Sequence, residues 1–214
     1  HTITPSIVSD LVDIIEHGEV TGLKEAFAPL IQLEAKAIEE RQLEILTQII
    51  ENGSVEVFRI ENTQSILSSA QLGVIKNLTN NGLMGKESVI SRYYGGVYFS
   101  YKQAVQIDVI LSAIRRVSDC VNKNLFIAAL LSTVSDIAVT VGKHFAQPIK
   151  ARDSKGNIKP LVYNKSVKDK GIDVLTLFVE WVDKYLSLYQ TDSTHIVFQG
   201  DYMVSRCQAV NVYC

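Results

Sequence analysis

Between residues 143 and 170 eight cationic side chains (Lys143, Lys150, Arg152, Lys155, Lys159, Lys165, Lys168 and Lys170) stand against two acids, Asp153 and Asp169. Such a density of cations around a turn suits phosphates, because each phosphate neutralised on a duplex releases condensed counterions. Lys155 and Lys159 flank Gly156 and fall near the tip of the segment, where they could enter a groove. Gln147 carries the donor–acceptor pair that can read the edge of adenine in the major groove. The same run also fits a solvated lysine-rich loop, the ordinary explanation of clustered charge. A second concentration of chemistry lies in "SRYYGGVYFSYKQAVQID", residues 91 to 108, where Tyr93, Tyr94, Tyr98 and Tyr101 crowd around Gly95-Gly96. A tyrosine hydroxyl suits phosphate contact, whereas an aromatic before a helix start more often packs into a core, the role expected of Phe99.

Other chemistries find little support. No Ser-His-Asp or Cys-His set has helpful spacing. The four histidines are scattered, which argues against a His-based metal site. Cys120, Cys207 and Cys214 are odd in number and far apart, fitting a reducing cytoplasm rather than a disulfide framework. No catalytic and no metal-binding residue is assigned. The net charge of −2 hides a strong asymmetry, because residues 1 to 61 hold twelve acids against four bases. No apolar run approaches the length of a membrane span, and the start does not read as a signal peptide. The chain opens without methionine and stops abruptly on "AVNVYC", so both ends read as cut from something longer.

The elements that must position these residues are mostly helical. "SDLVDIIEHGE" predicts a short helix capped by Ser9 or Asp10 and stopped by Gly18. From Leu23 to Asn52 apolar residues recur at helical spacing, with Glu34, Glu39, Glu40, Arg41 and Glu44 on the other face. Pro29 is expected to start or kink that helix, and Asn52-Gly53 to close it. Residues 62–78 make another helix, and Ser100 with Gln103 forms a capping box opening the next. "LFIAALLSTVSDIAVTVG" (125–142) is apolar nearly all round and predicts a central buried helix ended by Gly142. Residues 145–163 predict a basic β-hairpin around "DSKGN", edge-like because of Pro148 and Pro160. A helix over 171–189 follows. "HIVFQGDY" and "AVNVYC" then read as two short buried strands.

Three blocks in order, "YYGGVYFSYKQAVQID", "LLSTVSDIAVTVGKHFAQPIK" and "VFQGDY…VNVYC", resemble the adenine-N6 DNA methyltransferases of the DNA adenine methylase family over roughly residues 90 to 214. The resemblance implies a parent enzyme using S-adenosylmethionine, within a restriction-modification system, and double-stranded DNA as partner. It implies that Asp201 accepts from the cofactor's adenine amino group, though an acid at a strand end also serves as a turn cap. It places the basic segment, with Lys143, Gln147, Lys150, Arg152, Lys155, Lys159 and Lys165, on DNA. Tyr98, with Tyr93 and Tyr94, falls either in a packed joint or on an aromatic ledge beside the DNA or a flipped base. The acidic helices should then face away from the duplex. The family's Gly-rich cofactor segment and its Asp-Pro-Pro-Tyr tetrapeptide are both missing here, so this segment by itself should be inactive.

The expected fold is therefore α+β and mostly α. A helical region occupies 1–85, a DNA-recognition region with hairpin 145–163 occupies 86–190, and partial α/β catalytic-domain strands occupy 191–214. The rival reading is a non-catalytic helical interaction module whose acidic helix docks a basic partner.

Overall fold

The computed structural model describes residues 5–17, 21–57, 65–118, 120–140 and 147–188. Among them it holds nine α-helices and no β-strand: α1 (Pro5–His17), α2 (Thr21–Glu39), α3 (Leu43–Asn52), α4 (Ile66–Asn80), α5 (Val89–Tyr94), α6 (Tyr101–Arg116), α7 (Cys120–Ile137), α8 (Leu161–Lys168) and α9 (Val174–Leu188). The expected α+β architecture is thereby corrected to a helical one. The two terminal strands, 195–202 and 209–214, lie outside the described residues, as does Gly142.

The hairpin over 145–163 does not form within its described part. The chain does fold back at "DSKGN", with Gly156 at φ 84° and the Asp153 carboxylate accepting from the Lys155 and Asn157 amides at 2.8 and 2.9 Å. Two backbone bonds follow, Asp153 N to Asn157 O and Lys159 N to Ala151 O, both at 2.9 Å. There the pairing stops, at a single bridge between Arg152 and Ile158. Pro148 and Pro160 have no amide hydrogen to extend a ladder. Residues 161–168 turn helical instead. Ile149 and Ala151 are buried with Leu46 and Ile50 of α3 and Val162 of α8, so this loop is held by side-chain burial rather than by strand pairing.

Helix α6 is the shared wall of the body. Its Ala104, Ile107, Ile110 and Ile114 pack with Phe126 of α7 and Phe178 and Val182 of α9. Its Tyr101 and Val105 pack with Leu23, Phe27 and Leu30 of α2 and with Val74 and Leu78 of α4. The predicted capping box opens it: Ser100 Oγ accepts from Gln103 N at 3.1 Å, and the Gln103 side chain accepts from Ser100 N at 3.0 Å.

Four other expectations are revised. Helix α1 starts at Pro5, before the expected Ser9 or Asp10 cap, because a proline in the first turn has no amide to leave unpaired. The long 23–52 helix is two. Its break is a Schellman-type stop at Arg41, φ 53°, with Gln42 N donating to Ala37 O at 2.8 Å and Arg41 N to Ile38 O at 3.2 Å. Pro29 sits inside α2 without ending it, since the carbonyl it leaves unpaired belongs to exposed Glu25, which water can serve. Helix α7 is not buried all round, as Leu131 is 63% exposed.

Candidate nucleic-acid interface

The Tyr-Gly-Gly stretch is a joint between α5 and α6, and much of it is packing. Phe99 is buried in the first core, the one α6 shares with α7 and α9, and Tyr101 is fully buried with its hydroxyl donating to Gly53 O at 2.7 Å. Burial, and then the Glu34 carboxylate, push the Tyr101 phenol well above its ordinary range, so it stays a donor. Gly96 adopts φ 79°, and a Cβ there would lie 2.6 Å from the Tyr101 hydroxyl oxygen. Gly96→Ala should therefore lower stability by at least about 2 kcal/mol, from the left-handed backbone and the displaced phenol together. A thermal melt checks this, and an unchanged midpoint would mean that the joint repacks freely.

Three outer tyrosines remain. Tyr93 and Tyr94 are about two-fifths exposed and Tyr98 is half-buried against the first core. Their rings form a chain, with centroids 6.4 Å apart for Tyr93–Tyr94 and 5.7 Å, edge to face, for Tyr94–Tyr98. The Arg92 guanidinium lies over Tyr93 at 5.5 Å. It is itself buried and held by Ser88 Oγ at 3.1 Å, Gly85 O at 3.3 Å and the Glu56 carboxylate.

The basic loop meets this joint. Val139 N donates to Tyr98 O at 2.9 Å, and Thr140 bridges to Pro148, two residues before Lys150. Lys170 Nζ donates to Gly96 O at 2.7 Å. Gln103 Nε2 holds Asp169 O and Ile172 O at 2.9 and 3.0 Å.

The predicted cations divide into two groups. Arg152 binds Glu44 at 2.6 Å and Glu51 at 3.3 Å, which also raise its pKa. Lys165 binds Asp169 at 2.7 Å. Lys170, its side chain 1% exposed, binds Glu34 at 2.8 Å. Arg152 and Lys170 hold the loop and the turn after α8 to the helical body, whereas the Lys165–Asp169 pair is local to α8 and its end. Lys150, Lys155 and Lys168 are exposed and Lys159 half-buried, and among the described residues none of the four has a carboxylate within ion-pair distance. Gln147 is exposed. Lys143 and Asp201 lie outside the described residues. Acidic α3 does not keep clear of the basic segment, because two of its glutamates grip Arg152.

Sequence reasoning missed the two buried carboxylates that organise the joint. Glu34, expected on the outer face of its helix, is 2% exposed and accepts from Tyr101 N at 2.8 Å and from Lys170. The signal was legible: Leu23, Phe27, Leu30, Glu34 and Ala37 occupy one helical stripe, with a carboxylate among apolar residues. Asp108 likewise follows Tyr101, Ala104 and Val105 on one face of α6. It receives Ile90 N at 3.0 Å and both the amide and hydroxyl of Ser91 at 2.7 Å, fixing the start of α5.

Among the described residues no group of three or more His, Cys, Asp or Glu could hold a metal ion, and no helix is long and apolar enough to cross a membrane. No protein-family model, no curated protein and no solved structure matches this chain.

Proposed function

We propose that the chain is the DNA-recognition segment of a cytoplasmic, S-adenosylmethionine-dependent adenine-N6 DNA methyltransferase of a restriction-modification system, contacting double-stranded DNA through a loop rather than a hairpin. The observation that supports it is the placement of Lys150, Lys155, Lys159 and Lys168, without carboxylate partners among the described residues, on α8 and on a loop whose start is tied to the tyrosine joint through Thr140–Pro148 and Val139–Tyr98. Two of the blocks that carry the family resemblance, the tyrosine stretch and the end of α7, meet there through the Val139–Tyr98 backbone bond. In this reading Arg152 positions the loop, and the exposed lysines with Gln147 face the duplex. The cofactor and the transferring groups belong to the parent enzyme.

The test is fluorescence anisotropy with a random-sequence duplex at several salt concentrations. Replacing Lys150, Lys155 and Lys159 by Glu should weaken binding several-fold or more. It should also flatten the slope of log K against log salt by roughly 2–3, at about 0.9 per phosphate contact. Lys165→Glu would instead set a like charge beside Asp169 and act through stability. A folded wild-type sample that fails to bind at low salt, or a triple variant with an unchanged slope, would sink the reading. The rival is a non-catalytic helical interaction module, in which acids other than Glu44 and Glu51, already engaged by Arg152, would dock a basic partner. It gains ground if duplex binding is absent.

A further inference from the structure

Tyr93 is an unusual surface aromatic because one face of its ring is backed. Arg92 lies over it at 5.5 Å, and that guanidinium cannot swing away, being pinned to Ser88, Gly85 and Glu56. The helix carrying both residues is short, yet its start is fixed by Asp108 through three hydrogen bonds. Tyr94 lies next to it and is braced edge-to-face by Tyr98. Tyr93 and Tyr94 nevertheless remain about two-fifths exposed, and no hydrogen bond from either hydroxyl is found among the described residues. A packing role would bury these rings, and a solvated one would not require a buried arginine behind them. Rigid, pre-positioned rings lose little entropy when something flat settles on them.

We propose that Tyr93 and Tyr94 form a stacking platform for an unpaired base of the DNA strand whose phosphates the lysine loop holds. This rests on the DNA reading above. The occupant follows from what surrounds the platform. The Val139–Tyr98 and Thr140–Pro148 contacts bring the lysine loop to the same joint, so one strand can be held by its backbone and offer a base to the rings. Base–aromatic stacking tolerates any base, since each has a π face. An intact duplex keeps its bases stacked on one another, so the platform serves a base that has left the stack.

The experiment compares two labelled duplexes of one sequence, intact and with a single bulged 2-aminopurine, binding to the full chain. Wild type should prefer the bulged duplex by about fivefold or more, the lower end of what one stacked base contributes, and should quench the 2-aminopurine emission. The Y93A/Y94A double variant should lose the preference and the quenching while keeping intact-duplex affinity and its salt slope. Y93F/Y94F should keep both, since the ring and not the hydroxyl carries the contact. The lysine variants should weaken both duplexes alike. Equal wild-type affinity for the two duplexes, or an alanine variant that weakens both by the same factor, overturns the platform and leaves the duplex reading standing. Failure of wild type to bind either duplex overturns both.

Discussion

Lys170→Met should lower the unfolding free energy by about 3–5 kcal/mol, the usual consequence of leaving one member of a buried ion pair alone. Lys170 and Glu34 have side chains only 1% and 3% exposed, with Nζ and Oε1 2.8 Å apart. Each group has one further partner, Gly96 O for the lysine and Tyr101 N for the glutamate. The amide partner opens α6, so the carboxylate also sits at the positive end of that helix. Removing the ammonium strands the carboxylate among Leu30, Ala37 and Tyr101 and leaves the Gly96 carbonyl without its donor. Glu34→Leu should cost about as much, by stranding the ammonium and uncapping Tyr101. The double variant Glu34→Leu/Lys170→Met should be less destabilised than the sum of the two, because each loss is largely that of an unpaired partner. Urea unfolding of the four proteins measures this. Additive single effects would mean that the pair is not coupled in solution.

The second large effect concerns pH. Burial raises the Asp108 carboxyl to about 6, despite the lowering influence of the Ser91 and Ile90 hydrogen bonds and of Arg115. A carboxyl raised on folding gives stability that is fully present below its unfolded value near 3.8 and is lost as pH rises through about 6. Over that window Asp108 should contribute a loss on the order of 3 kcal/mol, because each tenfold difference in proton affinity between the folded and unfolded chain is worth about 1.4 kcal/mol. The Ser91 hydroxyl can donate to the carboxylate or accept from the carboxylic acid, so both forms retain a partner there. Asp108→Asn cannot titrate. Its stability deficit relative to wild type should therefore be largest near pH 4 and shrink by about 2–3 kcal/mol towards pH 7. Parallel stability–pH curves for the two proteins would show that Asp108 does not titrate in this window.

Helices with strong periodicity and explicit end signals were legible in the sequence. The Ser100–Gln103 box is the clearest, because both of its bonds depend only on residues three apart. What could not be read either lacked a marker residue or was set by partners distant in sequence. The stop at Arg41 uses a left-handed residue without a glycine to mark it. The loop at 147–160 has turn chemistry, but whether its arms pair or dock depends on α3 offering the apolar surface of Leu46 and Ile50, with Glu44 and Glu51 beside it. The candidate interface was legible as a run of charge. Its division into holding and facing cations was not, since Arg152 and Lys170 look the same in one dimension as Lys150, Lys155 and Lys159.

The Glu34–Lys170 pair joins residues 136 positions apart, and this fixes an order of events during synthesis. On the ribosome α2 emerges first, carrying a carboxylate in the middle of its apolar stripe, and its ammonium follows only after about 136 further residues have been added. At roughly 5–20 residues per second the nascent chain waits on the order of 7–30 seconds for that partner. During this wait α2 cannot seal against the start of α6 without burying a lone charge. The early helices should therefore stay open to proteases and chaperones until the turn at 169–172 has left the exit tunnel, and then close in one step.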